Sequence, residues 1–174
     1  GRRLSGLSCS RNNPVSFYFN CYKILWGIKK FKFIDPFFNA VYAVNLQSLF
    51  RLTKNINYNK NAKNILFKLI EKTLTINPVT LSDISLLIIG GLPRNIAEKL
   101  VEKLMDKNLF WTDFPLSFVS VSDRSFNPNY DKLLLWRGPS WININWLFIR
   151  GLRANSFGNE AKILTVKTKK MVEK

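Results

Sequence analysis

The sequence predicts an all-α chain built from helical hairpins, on three observations. Apolar residues recur at helical rather than alternating spacing along most of the 174 residues. The periodic segments come in pairs, one apolar on most sides and one amphipathic. Short turns fall at one end of the pairs, and one long aromatic-rich connection falls at the other. These are the marks of a toroid of helical hairpins. No strict repeat of about 30 to 45 residues is visible, so a solenoid is not predicted.

The opening "GRRLSGLSCSRNNP" has little apolar periodicity and much Ser, Arg and Asn. Residues 1–13 are read as an irregular end and 14–174 as one domain. With no initiator methionine, the start of the protein is expected upstream. No apolar h-region or small-residue cleavage site marks a signal peptide. "VSFYFNCYKILWGIKK" has a helical pattern. In "DPFFNAVYAVNLQSLFRLTKNI", Asp35 suits a cap and Pro36 the first turn. Phe38, Val41, Tyr42, Leu46, Leu49 and Phe50 then recur at helical spacing. "NAKNILFKLIEKTLTI" sets Ala62, Ile65, Leu66, Leu69 and Ile70 on one stripe and stops before Asn77-Pro78.

"SDISLLIIGGLP" reads equally as a short buried helix or a strand, broken at Gly90-Gly91. No Lys-Ser/Thr follows at P-loop spacing, so the glycines are not a phosphate loop. "PRNIAEKLVEKLMD" is an amphipathic helix with Ile96, Ala97, Leu100, Val101 and Leu104 facing inward. From Lys107 to Leu135 no period is sustained, and the stretch is read as a long ordered connection. "GPSWININWLFIRGLRANS" resumes as a helix apolar almost all round, hence inner and buried. "NEAKILTVKTKKMVEK" closes the chain after Gly158.

Composition narrows the chemistry. Histidine is absent, which removes the usual triad base, zinc ligand and near-neutral proton shuttle. Chemistry would have to run on carboxylates, and neither a metal nor a cofactor is expected. Cys9 and Cys21 have no CxxC spacing and are read as free thiols of a reducing, cytoplasmic compartment. No apolar run approaches the roughly 20 residues of a membrane span. The charge of +16 comes from lysines spread over almost every segment. They are read as a solvated surface, and no specific nucleic-acid partner is expected.

The segment "LLLWRGPSWININW" carries the functional expectation. Pro139 is placed at the first helical position, leaving backbone N–H groups open at a helix start with Gly138 allowing close approach. Trp136 and Trp141 flank the turn. Trp141 and Trp146 lie about 140° apart around a helix, so they do not face one cavity. Trp146 is therefore assigned to the core, and Trp136 and Trp141 to a mouth. Indole faces suit the C–H face of a sugar, and Arg137 suits hydroxyls or a carboxylate. A plain aromatic core is the competing reading.

"LWRGPSWININWLFIRGLR" resembles the Tyr-Trp-Arg-Gly-Pro-Val-Trp segment of glycoside hydrolase family 63 and its bacterial relatives, the mannosylglycerate and glucosylglycerate hydrolases. "FIDPFFNAVYAVNLQSL" and "GGLPRNIAEKLVEKLMDKNLFWTDFPLSFVSVSDRSFNP" resemble that family too, so the likeness covers roughly Phe33 to Val172. It implies an (α/α)6 barrel, present here only in part, and inverting hydrolysis of an α-glucosidic or α-mannosidic bond. It carries Trp136, Arg137, Gly138 and Trp141 over as part of the sugar subsite. Leu135 stands where the family has Tyr, which removes one hydroxyl.

The family's acid, an Asp in a Glu-Ser-Gly-x-Asp-type segment, and its basic Glu lie outside the matched stretch. No catalytic residue is assigned. Glu71, Glu98, Glu102, Asp106, Glu160 and Glu173 read as surface charges, and Asp113, Asp123 and Asp131 as loop residues. The expectation is a glycosidase fragment, inactive alone, that needs a carbohydrate substrate and the rest of the barrel. About half a toroid should also expose apolar patches on its inner helices. A noncatalytic carbohydrate-binding remnant and a basic nucleic-acid binder are the alternatives.

Overall fold

The computed structural model describes residues 35–73, 80–129 and 137–173, all within the unit Asp35–Lys174. The helix expected over "VSFYFNCYKILWGIKK" lies outside the described residues. Among the described residues are five α-helices and one 3-10 helix: α1 (Pro36–Thr53), α2 (Ile56–Thr73), η1 (Leu81–Ile88), α3 (Arg94–Met105), α4 (Ile142–Ala154) and α5 (Gly158–Lys170).

Helix α1 starts where the local chemistry places it. Asp35 Oδ1 accepts from the Phe37 and Phe38 N–H groups at 2.7 and 3.3 Å, and Pro36 follows the cap. This satisfies donors that a helix start leaves unpaired. The helix ends at Lys54, left-handed at φ 57, whose N–H returns to the Phe50 carbonyl. The ambiguous "SDISLLII" is a 3-10 helix, not a strand, and its seven residues Leu81, Ser82 and Ile84–Ile88 are buried. A capping box begins it: Asp83 takes the Thr80 N–H at 2.8 Å. Tight winding gives this short apolar run a core position without the length of an α-helix.

η1 stands between α1 and α4, which do not meet each other. α2 packs on α1, α3 on η1 and α5 on α4. The described chain is thus an open arc of three hairpins: α1, η1 and α4 in one row, each backed by an amphipathic helix. The core runs along that row, through Ala40, Ala43, Ile84, Leu87, Phe148 and Leu152. All five inward residues expected on α3 are buried. Ala62 and Leu69 of α2 are buried, while Ile65, Leu66 and Ile70 are half-buried.

One expectation fails, on α4. On α1, where helical spacing alone named no buried face, Ala40, Ala43 and Leu46 are buried, whereas Phe38, Tyr42 and Leu49 are exposed. Small residues let α1 approach η1 closely, so the larger apolar ones point the other way. On α4 the buried face is Asn145, Phe148, Ile149 and Leu152, and Trp146 is 53% exposed, not core. Its ring carries the Arg150 guanidinium at 4.8 Å. Large apolar side chains are thus exposed on two helices of the inner row, α1 and α4.

Buried polar contacts join the row. Asn155 Nδ2 donates to the carbonyls of Leu87, Ile89 and Gly151 at 3.2, 2.9 and 2.9 Å, and its Oδ1 accepts the Leu92 N–H at 3.0 Å. Gly151 permits this seam, because an added Cβ would collide with the Leu87 carbonyl. Gly91, at φ 87, turns the chain from η1 toward α3.

Candidate functional site

The described part of the long connection, residues 107–129, pairs with the turn before α4. Phe110, Leu116, Ser117, Val119 and Ser120 are buried. The Leu116 N–H donates to the Phe110 carbonyl at 2.9 Å, and Leu116 sits at φ 63, a region L-residues other than Asn and Asp seldom occupy. Isolated antiparallel bridges pair Thr80 with Val119 and Ser117 with Ser140. Ser140 Oγ donates to the Phe114 carbonyl at 2.5 Å. The turn before α4 is thereby strapped to the segment Thr112–Ser117.

The turn differs in register from the sequence reading. α4 begins at Ile142 with Trp141 as its N-cap, so Pro139 precedes the helix by three positions. The Ser117–Ser140 bridge holds Ser140 extended, and helical geometry cannot start until that pairing ends. Trp141 is 40% exposed. Arg137 is half-buried. Gly138 does allow a close approach, but by the protein itself: an added Cβ would overlap the Asn127 carbonyl. The Asn127 N–H in turn points to the Arg137 carbonyl at 3.4 Å. Trp136 lies outside the described residues. Of the four expected site residues, the structure places Arg137, Gly138 and Trp141 on one short loop and helix cap.

A cavity of about 530 Å³ opens beside this turn, between Thr112–Phe114 and Gly138–Ser140. Phe126 and Met171 contribute apolar wall, and Ser117 a buried hydroxyl. Trp141 does not line it. No local pattern in the sequence signals this space, since its walls come from four separated segments.

Glu98 pairs with Arg94 on the exposed face of α3 at 2.7 Å, and Glu102 is exposed. Asp123 accepts from the Ser125 hydroxyl at 2.6 Å and its N–H at 2.7 Å. Those bonds, with a smaller effect from Arg124, hold its carboxyl below the usual aspartate range against a weak opposing effect of burial. Asp113 is exposed at the cavity rim. Asp131 lies outside the described residues. Among the described residues no group of three His, Cys, Asp or Glu could hold a metal ion.

The family model for the mannosylglycerate hydrolase MGH1-like glycoside hydrolase domain matches residues 58–174. The chain belongs to this family. The matched span takes in the whole strapped turn and its cavity. Among solved structures, the family 63 mannosylglycerate hydrolase of Thermus thermophilus in complex with glucose is similar at 21% identity and a TM-score of 0.68. That match covers 91% of this chain and 42% of the other. The same organism's enzyme in complex with Tris gives 20% identity and a TM-score of 0.67, covering 91% and 43%. An uncharacterized conserved protein from that organism gives 21% and 0.65, covering 88% and 42%. A comparison with curated proteins found no match. The fold is that of an incomplete (α/α)6 barrel, and the chain spans less than half the length of these structures. No described helix is long and apolar enough to cross a membrane.

Proposed function

We propose that this chain is an arc of an inverting α-glycosidase acting on α-glucosidic or α-mannosidic bonds, as the mannosylglycerate hydrolases it resembles do on their own substrate. It supplies one wall of the sugar subsite through Trp136, Arg137, Gly138 and Trp141. The observation that carries this reading is the position of Trp141, a partly exposed indole capping an inner-row helix within the family-matched span. An indole face there stacks on the apolar face of a pyranose, and Arg137 beside it suits hydroxyls. Gly138 serves by letting the Asn127–Pro128 backbone lie against the turn, which fixes the direction in which Trp141 leaves it.

Inversion requires an acid and a base about 6.5 to 9.5 Å apart across the sugar. In this reading both groups come from sequence outside this arc. The chain alone is then expected to bind weakly and not to hydrolyse. Titration of methyl α-glucoside and methyl α-mannoside into wild type, Trp136→Ala and Trp141→Ala tests the wall. Each variant should lose about threefold to tenfold in affinity, the worth of one aromatic stack. Equal affinity in all three would remove the assignment.

A further inference from the structure

The cations of this chain are spread along it, but the acids are not. Residues 1–70 hold twelve Lys and Arg and a single acid, Asp35, whose carboxylate is committed to the start of α1. The other ten acids follow. The hairpin of α1 and α2 therefore has no acid from Pro36 to Ile70, while Arg51, Lys54, Lys60, Lys63 and Lys68 fall on it. Residues 1–34 add seven cations and no acid, so they do not neutralise it.

α2 backs the row and packs on α1 with Ala62 and Leu69 buried. On its far side Ile56, Lys60, Lys63 and Phe67 are all exposed, within about 60° of one another on a regular helix. Ile56 and Phe67 are each 64% exposed. They stand about 16 Å apart along the axis, with the two lysines between them. Leu52, more exposed still, precedes them at the turn, and Glu71 closes the stripe one turn past Phe67. The turn meets its own backbone needs. The Lys54 N–H donates to the Phe50 carbonyl at 2.8 Å, and the Tyr58 N–H to the Asn55 carbonyl at 3.2 Å. Thr53 Oγ1 accepts the Asn55 N–H at 3.3 Å, and Asn55 Oδ1 the Asn57 N–H at 3.0 Å. Helix ends satisfied in this way leave bulk water at lower cost.

We propose that the outer face of α2, with the turn before it, docks on the surface of an anionic lipid bilayer. Leu52, Ile56 and Phe67 enter the boundary between headgroups and acyl chains, and Lys54, Lys60 and Lys63 reach the lipid phosphates. Apolar side chains interspersed with cations on one stripe fit a surface that is anionic above and apolar beneath. The helix lies on the bilayer and does not cross it, since no described helix is long and apolar enough to do so. A nucleic acid would use the cations, but its bases offer the aliphatic Leu52 and Ile56 no stacking partner. The face is independent of the sugar wall, none of whose residues belongs to α2.

Flotation with lipid vesicles tests this, because only bound protein rises with the lipid. Vesicles of equal parts phosphatidylglycerol and phosphatidylcholine should carry the chain up, and phosphatidylcholine alone should not. One lysine near an anionic surface is worth about fivefold in binding, so Lys60→Glu with Lys63→Glu should weaken it by more than about tenfold. Ile56→Gln with Phe67→Gln should weaken it by about tenfold while keeping good helix formers at both positions. Unchanged urea midpoints show that both variants are folded. Lys162→Glu with Lys169→Glu makes the same charge change on exposed positions of α5, which does not meet α2, and should cost no more than about threefold. Four results each overturn the proposal: no flotation with the anionic vesicles, equal flotation with the neutral ones, an equal loss in the α5 variant, or wild-type flotation of Ile56→Gln with Phe67→Gln. The last would make the face a general polyanion surface of the kind a nucleic acid uses.

Discussion

Asn155 ties the end of α4 to η1 and to the turn that follows it through one side chain. Its amide reaches the carbonyls of Leu87 in η1, Ile89 just after it and Gly151 in α4, and takes the Leu92 N–H, at 8% exposure. Removing it leaves buried carbonyls and an N–H without partners, and the unmade bonds cost more than the made ones contribute. Asn155→Ala is expected to lower unfolding free energy by about 2 to 4 kcal/mol in urea titrations. A loss under about 0.5 kcal/mol would mean that water replaces the amide. Asp123 acts through pH instead. Its carboxyl is held below the usual range by Ser125, so its contribution is present above the unfolded-state value and is lost as pH falls through the folded one. Below about pH 4, wild type should lose stability faster than Asp123→Asn. Parallel pH profiles for the two would show that the bonds to Ser125 contribute nothing to stability.

At the scale of elements, helix α1 shows what a sequence makes legible and what it hides. Its start was readable because a cap is local chemistry: Asp35 and Pro36 determine it by themselves. Asp35→Ala should cost about 1 kcal/mol, and Asp35→Asn much less, in thermal unfolding. Its buried face was not readable, because apolar spacing does not say which of two apolar sides meets a neighbour. Ala40 and Ala43 won because η1 comes close, a fact residing in another segment. The same limit explains Trp146. Counting it as apolar made α4 greasy all round, while the true period placed Asn145 inward, where its amide meets Thr168 at 3.1 Å. The turn before α4 shifted by three residues for a related reason: Ser117, 23 positions away, pairs with Ser140 and delays the helix. Three of the four motif residues, Arg137, Gly138 and Trp141, stand together because they are neighbours in sequence. A cavity assembled from several segments, like the one beside that turn, carries no such local signal.

At the scale of the molecule, two of the described inner-row helices expose apolar side chains. α1 turns Phe38, Tyr42, Leu49 and Leu52 outward at 73, 55, 41 and 81% exposure, within about 80° of one another on a regular helix. α4 turns out Ile142 and Trp146. Stripes of this kind drive association by burying apolar surface. Against that stands the charge of +16, whose self-repulsion keeps copies apart. The two forces respond differently to salt. Repulsion between exposed charges is screened, with a Debye length falling from about 30 Å at 0.01 M to about 3 Å at 1 M, whereas apolar burial is not weakened by screening. Sedimentation velocity should therefore show a single small species at low salt and growing association as salt rises. Leu52→Lys together with Phe38→Lys should abolish that growth and leave unfolding free energy within about 0.5 kcal/mol, since both side chains are exposed. Association strongest at low salt would reverse the argument and make the basic surface, not the apolar stripes, the adhesive face.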